Sequence, residues 1–362
     1  MKIFSYSASF KKWFTLLFAG LASGVQAQDL QKSVAHIGLV YPLSSNGTHA
    51  DRYSNSFSLH LLAGVSGAET GFSMAGLGSV VRQDAKGLMV SGLFNTIGGR
   101  AQGAQLSGLL NRAQSARATQ LAGLLNVVSH ETQGVQLAGV TNVAGTGKAV
   151  QVAGVGNVSR QSAVQVAGVF NQSEEVHTQV AGLINVAKRV KGVQIGVLNI
   201  ADSSDYSIGL INLVKNGEKR ISLSTDETLT GFLSFRSGGR VLYGLVGLGY
   251  NLKQPQQSLY GLEAGLGAHV LVREPYRVSL EAVTVTLTDF KKREYLRNSL
   301  RILPSVRFAK QWEFFLGPTI NYVDFTRETS DDLRGIYLWS KQGTKHTQGL
   351  YLGVTAGLQI IL

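Results

Sequence analysis

Between residues 72 and 217, apolar residues alternate with small or polar ones in short runs that repeat. The octets read LMVSGLFN (88–95), AQLSGLLN (104–111), TQLAGLLN (119–126), VQLAGVTN (135–142), VQVAGVGN (150–157), VQVAGVFN (164–171) and TQVAGLIN (178–185). Two shorter copies follow, VQIGVLN (193–199) and YSIGLIN (206–212), and FSMAGLGS (72–79) is a degenerate first copy. A two-residue period predicts strands, and the density of Gly opposes helix. The closing residue is Asn95, Asn111, Asn126, Asn142, Asn157, Asn171, Asn185, Asn199 or Asn212, at steps of 13 to 16 residues.

The short copies predict which positions share a face. In VQIGVLN, alternation places Val193, Ile195, Val197 and Asn199 together. The long copies carry one extra residue at Ala-Gly, which predicts a bulge or corner there. Val150, Val152, Val155 and Asn157 then share a constant, packed interior face. The position before Asn varies (Phe94, Leu110, Thr141, Gly156, Phe170) and is expected on the outside.

Two architectures fit. In a narrow β-solenoid each repeat is one coil, and parallel stacking brings every Asn to one spot as an internal ladder. Alternatively, consecutive repeats are strands of one large membrane barrel, which explains why the outer positions stay apolar. Antiparallel strands would send Asn alternately to opposite rims, so the solenoid is preferred.

After residue 218 the pattern changes to long alternating strands at 228–236, 241–250, 258–272, 277–288, 299–308, 313–323 and 349–362. Short connections (237–240, 273–276, 309–312) alternate with longer ones (251–257, 289–298, 324–348). Outer-membrane barrels show this asymmetry. Tyr260, Leu262, Ala264, Leu266 and Val270 oppose Glu263 and His269, and Leu300, Ile302, Val306 and Phe308 oppose Arg301, Ser305 and Arg307. The last strand sets Leu350, Leu352, Val354, Leu358 and Leu362 against Tyr351, Thr355 and Gln359. Tyr243, Tyr250, Tyr260, Trp312, Tyr322 and Tyr351 are expected in interfacial girdles. Residues 34–43 and 56–66 read as a further hairpin, and 219–225 as one more strand.

The expected fold is therefore all-β: an antiparallel outer-membrane-type barrel of about ten strands with the repeat array inserted. The expected divisions are a signal peptide (1–27), an N-terminal barrel hairpin (28–67), the Gly-rich β-repeat region (68–217) and C-terminal barrel strands (218–362).

Composition narrows the function classes. The chain has 362 residues, 43 Gly and no Cys, so disulfide scaffolds, Cys-zinc sites and Cys nucleophiles are excluded. Lys2, Lys11 and Lys12 precede an apolar run and the small-residue site Val25-Gln26-Ala27, which predicts export. Net charge is +12, but an exported chain is not expected to meet nucleic acid. The seven His are scattered, and His130-Glu131 lacks the second His of a zinc-protease motif. No P-loop or nucleophile elbow occurs. No catalytic, cofactor-binding or metal-binding set is expected.

The one polar constellation is Glu263, His269, Glu281, Arg301 and Arg307, expected to line the barrel lumen as ion pairs. A basic loop, Lys291-Lys292-Arg293 with Arg297, is a candidate contact for anionic lipopolysaccharide. Three function classes stay open: a non-enzymatic surface or structural protein, a passive channel, and an outer-membrane enzyme. The third lacks any assignable nucleophile and base. Outer-membrane lipid is an expected partner, alongside an unidentified protein or glycan.

The passage VQIGVLNIADSSDYSIGLINLVKNGEKRISLSTDE, with HIGLVYPLSSNG, FSLHLLAGVSG and FFLGPTINYV, resembles the Gly-rich surface-repeat proteins of Bacteroidetes-type bacteria and spirochaetes. The resemblance covers nearly the whole chain after the leader. It implies an outer-membrane or surface location and no chemistry.

Overall fold

The computed structural model describes residues 29–239, 241–253, 259–290, 294–326, 337–343 and 346–362. The expected signal peptide and Lys291–Arg293 lie outside the described residues. The chain forms a β-solenoid of about 11 turns (residues 54–214), followed by an eight-stranded antiparallel β-barrel.

Each coil contributes two strands that meet at the Ala-Gly corner. In one coil these are Ala149–Ala153 and Gly156–Ser159. The first pairs in parallel and in register with its neighbours, Val150 beside Val135 and Val164. The second does the same, Asn157 beside Asn142 and Asn171. The long copies turn a corner at Ala-Gly as expected, and the short copies turn it too without the extra residue, Val193–Ile195 and Leu198–Ser203 meeting across Gly196. The corner needs Gly for space: a Cβ on Gly139 would lie 2.1 Å from the carbonyl oxygen of Gly123 one coil earlier. Gly92, Gly108, Gly123, Gly154, Gly168 and Gly182 repeat this contact.

The interior differs from expectation. Asn157 points inward, but Gln151 and Ala153 are buried with it, while Val152 and Val155 face out. On the corner side of each coil hydrophobic residues line the outside and amides fill the inside, while Val81, Ile97, Val176 and Val190 are buried toward the connectors. Parallel stacking explains this inversion. A narrow coil leaves room for Ala, Ser and flat amides, and in-register amides satisfy one another. Asn142 Nδ2 donates to Asn157 Oδ1 (3.0 Å) and to the Val152 carbonyl (2.8 Å), which the corner turns inward. A second ladder, Gln105 to Gln194, was missed in the sequence. Gln151 Nε2 donates to Gln136 Oε1 at 2.9 Å. The Asn ladder donates toward the C-terminus and the Gln ladder toward the N-terminus, so their dipoles oppose.

The N-terminal pair is not part of the barrel. Strands Gln31–Val40 and Tyr53–Ser66 run parallel (Gln31 beside Tyr53, Ala35 beside Phe57) and open the solenoid sheet. The connection between them holds the short strand Leu43–Ser44 and a 3₁₀ helix, Gly47–Arg52. It returns the chain to the starting end, as a parallel pair requires.

The barrel strands are β1 (Lys219–Asp226), β2 (Thr230–Gly238), β3 (Leu242–Asn251), β4 (Tyr260–Arg273), β5 (Tyr276–Thr288), β6 (Glu294–Arg307), β7 (Trp312–Thr326) and β9 (His346–Ile361). Closure is by β1 on β9, Arg220 beside Ile361 through Asp226 beside Thr355. The short β8 (Tyr337–Gln342) pairs with β9 above that seam. The barrel thus has eight strands rather than about ten.

The three face assignments on β4, β6 and β9 hold: Leu262, Leu266, Leu300, Ile302, Leu352 and Val354 are exposed, and Glu263, Arg301 and Thr355 are buried. Two of the six expected girdle residues do not. Tyr243 and Tyr351 point into the lumen (2% and 1% exposed). Inward glycines make room for these large side chains. A Cβ on Gly267 would meet the Tyr243 ring at 2.3 Å, and one on Gly357 would meet Phe315 at 2.5 Å.

Candidate functional site

The barrel interior is built by alternate positions of its strands. On the half nearer the short turns, Arg236 Nε of β2 donates to Glu281 Oε1 of β5 at 2.7 Å. Tyr243 of β3 donates to the same oxygen at 2.8 Å. Arg301 of β6 donates to Glu263 Oε2 of β4 at 2.9 Å and lies 3.7 Å from Glu281. Closer to the rim, His269 accepts from Arg220 and pairs through Nδ1 with Ser279 Oγ at 2.9 Å. Arg277 donates to Glu218 at 2.9 Å.

Four of the expected lumen residues, Glu263, His269, Glu281 and Arg301, are therefore buried in this interior. Arg307 is half-buried at the rim, 2.6 Å from Glu274. The sequence reading missed Arg220, Arg236, Arg277 and Tyr243, although the same alternation that exposed Glu263 and His269 marks them. Arg297 is corrected: it is not part of a basic loop but is buried and paired with Asp226.

Toward the long-loop rim, Phe232, Val285, Leu287, Tyr295, Val323 and Phe325 form a buried apolar cluster. An eight-stranded barrel encloses an interior just wide enough for side chains, and here they occupy it. Each Arg and Glu removed from water is paired, which keeps burial tolerable.

The barrel exterior is apolar. Tyr250, Tyr260 and Phe290 make ring contacts near the long-loop rim, and Tyr276, Phe308 and Trp312 are exposed near the short-turn rim. Between them the wall carries a groove of about 610 Å³, lined by Leu233, Phe235, Val246, Leu248 and Leu262 among others.

The last coil meets the barrel on β2 and β3. Asn212 N donates to Ser237 Oγ (3.0 Å), and its Nδ2 donates to the Ser237 carbonyl (3.1 Å). A Cβ on Gly244, which pairs with Ser237, would lie 1.9 Å from the Gly209 carbonyl. Ser237 thus takes the next Asn place and Gly244 the next corner-glycine place. At the far end the Asn ladder starts from Ser91 Oγ, 2.7 Å from Asn95 Oδ1.

The first coils hold a separate buried cluster. His36 Nε2 is 2.9 Å from Ser44 Oγ and 3.4 Å from His60 Nε2. Ser58 donates to Glu69 Oε1 at 2.8 Å, and Asn55 Nδ2 donates to the same oxygen at 3.3 Å. Burial, then the nearby His60, lowers the His36 pKa to about 4. Burial also lowers that of His60 and raises that of Glu69. His36 and Ser44 have nucleophile–base spacing, but His36 is 1% exposed, and its Nδ1 faces the Asn55 amide rather than a carboxylate. The cluster reads as polar filling of the opening coils.

Comparison with known proteins returns no match to any family model, curated protein or solved structure.

Proposed function

We propose that the protein is a non-enzymatic outer-membrane component in which the barrel is the anchor and the solenoid a rigid structural or interaction arm. The observation that supports this most is the barrel's polarity. Its wall is apolar outside, while its interior is occupied by paired charges and packed aromatics. That suits residence in lipid and leaves little room for solute flow. Export across the inner membrane follows from the leader expected at 1–27. Lipopolysaccharide contact by Lys291–Arg293 is part of the same reading.

The test is reconstitution. The protein is expected in the membrane fraction, with heat-modifiable gel mobility and no open-channel steps in planar bilayers. Recovery as a soluble periplasmic protein would refute the anchor. Regular conductance steps would replace the arm-and-anchor reading with a channel.

A further inference from the structure

The solenoid is amphipathic across its section. At the Gly corner each coil from the second to the one before the last projects one apolar residue, from Leu77 and Leu93 through to Leu183 and Val197, 38–51% exposed. The two flanks that converge on this ridge add Leu121, Val152, Val166, Ile184 and Ile195. At the opposite side, where coils connect, stand charges such as Arg160, Glu174, Lys188 and Asp202. Nine coils at about 4.8 Å each make a ridge on the order of 40 Å long. An exposed apolar surface of that extent marks an interaction site.

The junction fixes how this wedge is oriented against the barrel. Ser237 and Gly244 occupy outward-facing positions of β2 and β3 and are buried because the last coil covers them. The apolar corner, Gly209-Leu210, sits on Gly244. The charged side, at Asp205, sits on Gly239 in the short turn. Gly244 lies further up the wall than Gly239. The ridge is thus on the side of the apolar belt, and the charges are on the side of the rim. The wall groove bounded by Phe235 and Val246 opens two residues beyond Ser237 and Gly244 on the same strands. Barrel belt, groove and solenoid ridge therefore lie on the same side of the junction.

We propose that the solenoid lies along the leaflet at the short-turn rim, with its Gly-Leu ridge sunk among phospholipid acyl chains and its charged side in water. The occupant of the ridge is lipid, and the solenoid is a monotopic extension of the barrel anchor. Amphipathic elements bind interfaces this way, with the apolar face buried about 5–10 Å. The inference rests on the anchor reading above.

Single-tryptophan reporters test it in the full chain. Phe replaces Trp13 and Trp339, leaving Trp312 as the barrel reporter. Phe also at Trp312, with Leu124→Trp or Leu183→Trp, gives two independent ridge reporters, and Arg160→Trp reports the charged side. Each protein is reconstituted into phosphatidylethanolamine–phosphatidylglycerol vesicles containing lipids brominated in mid-chain. Folding is checked by heat-modifiable mobility.

The expected result is bromine quenching of Trp312 and both ridge reporters, with Arg160→Trp quenched only by aqueous iodide. Quenching of Trp312 without quenching at the ridge overturns the inference and leaves the anchor standing. Ridge reporters shielded from both bromine and iodide also overturn it, in favour of pairing with a second copy. An unquenched Trp312 removes the anchor itself.

Discussion

The solenoid and the barrel both place polar groups inside and hydrophobic groups outside, but they fill their interiors with different chemistry. In the repeat coils the polar part of the solenoid interior is neutral amide, Asn on Asn and Gln on Gln. The polar part of the barrel interior is charge, Arg on Glu and Arg on Asp. Strand direction accounts for the difference. Parallel in-register stacking sets like beside like, so a repeated buried group must be donor and acceptor at once. An amide is both, whereas a column of identical charges would repel. Antiparallel strands bring unlike residues together, so opposite charges can meet. The same rule operates on the solenoid surface, where neighbouring coils alternate sign and Lys188 pairs with Glu174 at 3.4 Å.

The sharpest way to break this contrast is to put a charge in the ladder. In Asn157→Asp the carboxylate still accepts from Asn142, but it cannot donate to Asn171 or to the Val166 carbonyl. The expected loss is about 4 kcal/mol, read as a lowered denaturation midpoint of the solenoid. An unchanged midpoint would mean the ladder contributes nothing.

Removing one charge from the barrel is the counterpart. Arg236→Met leaves Glu281 buried with fewer partners and is expected to cost about 3 kcal/mol. The readout is the temperature at which heat-modifiable mobility is lost. Adding Glu281→Gln to that variant should restore part of the loss, because it removes the uncompensated charge.

A smaller effect tests the corner. Gly139→Ala pushes a methyl toward the Gly123 carbonyl and should cost about 2 kcal/mol, with the barrel transition unmoved. Equal loss in both transitions would show that the two regions unfold as one unit.

The mildest perturbation is pH. His36 is held neutral when folded, with its pKa near 4, against 6.5 for the free group. The unfolded coil therefore takes up the proton first. Stability of the opening coils is full above about pH 6.5 and falls as pH drops toward about 4. Glu69, whose pKa is raised, works in the opposite direction. Deuterium uptake, corrected for the intrinsic pH dependence of amide exchange, should rise in Gln31–Val40 between pH 7 and 5 while that of Ala149–Ala153 stays flat. His60, lowered by the same burial, acts in the same direction, so His36→Gln should remove part of that pH dependence and His36→Gln with His60→Gln more of it.

Much of this architecture was legible in residue order. The recurring Asn betrayed in-register stacking, because only parallel coils return one residue to one place. The corner expected at Ala-Gly is there, although the short copies make it with Gly alone. Alternation on 258–272, 299–308 and the last strand sorted wall from lumen, including Glu263, His269 and Arg301.

On the second strand of a coil the inward Asn and the outward position before it were legible, but which face of the first strand lies inside was not. Val150 and Gln151 alternate equally well, and the assumption that the apolar set is buried chose the wrong one. Strand direction at the N-terminus escaped for a related reason. Residues 34–43 and 56–66 alternate like barrel strands, and pairing sense is not written in alternation.

The sequence by itself determined the β period, the repeat with its Asn register, the Gly corner and the two faces of the barrel wall. These are local properties of side-chain order and chain geometry. Only the tertiary structure decided that the coils are inverted, that eight strands close the barrel, and that Ser237 and Gly244 continue the solenoid onto its wall. Each of those depends on which backbone lies next to which, and a single strand carries no record of its neighbour.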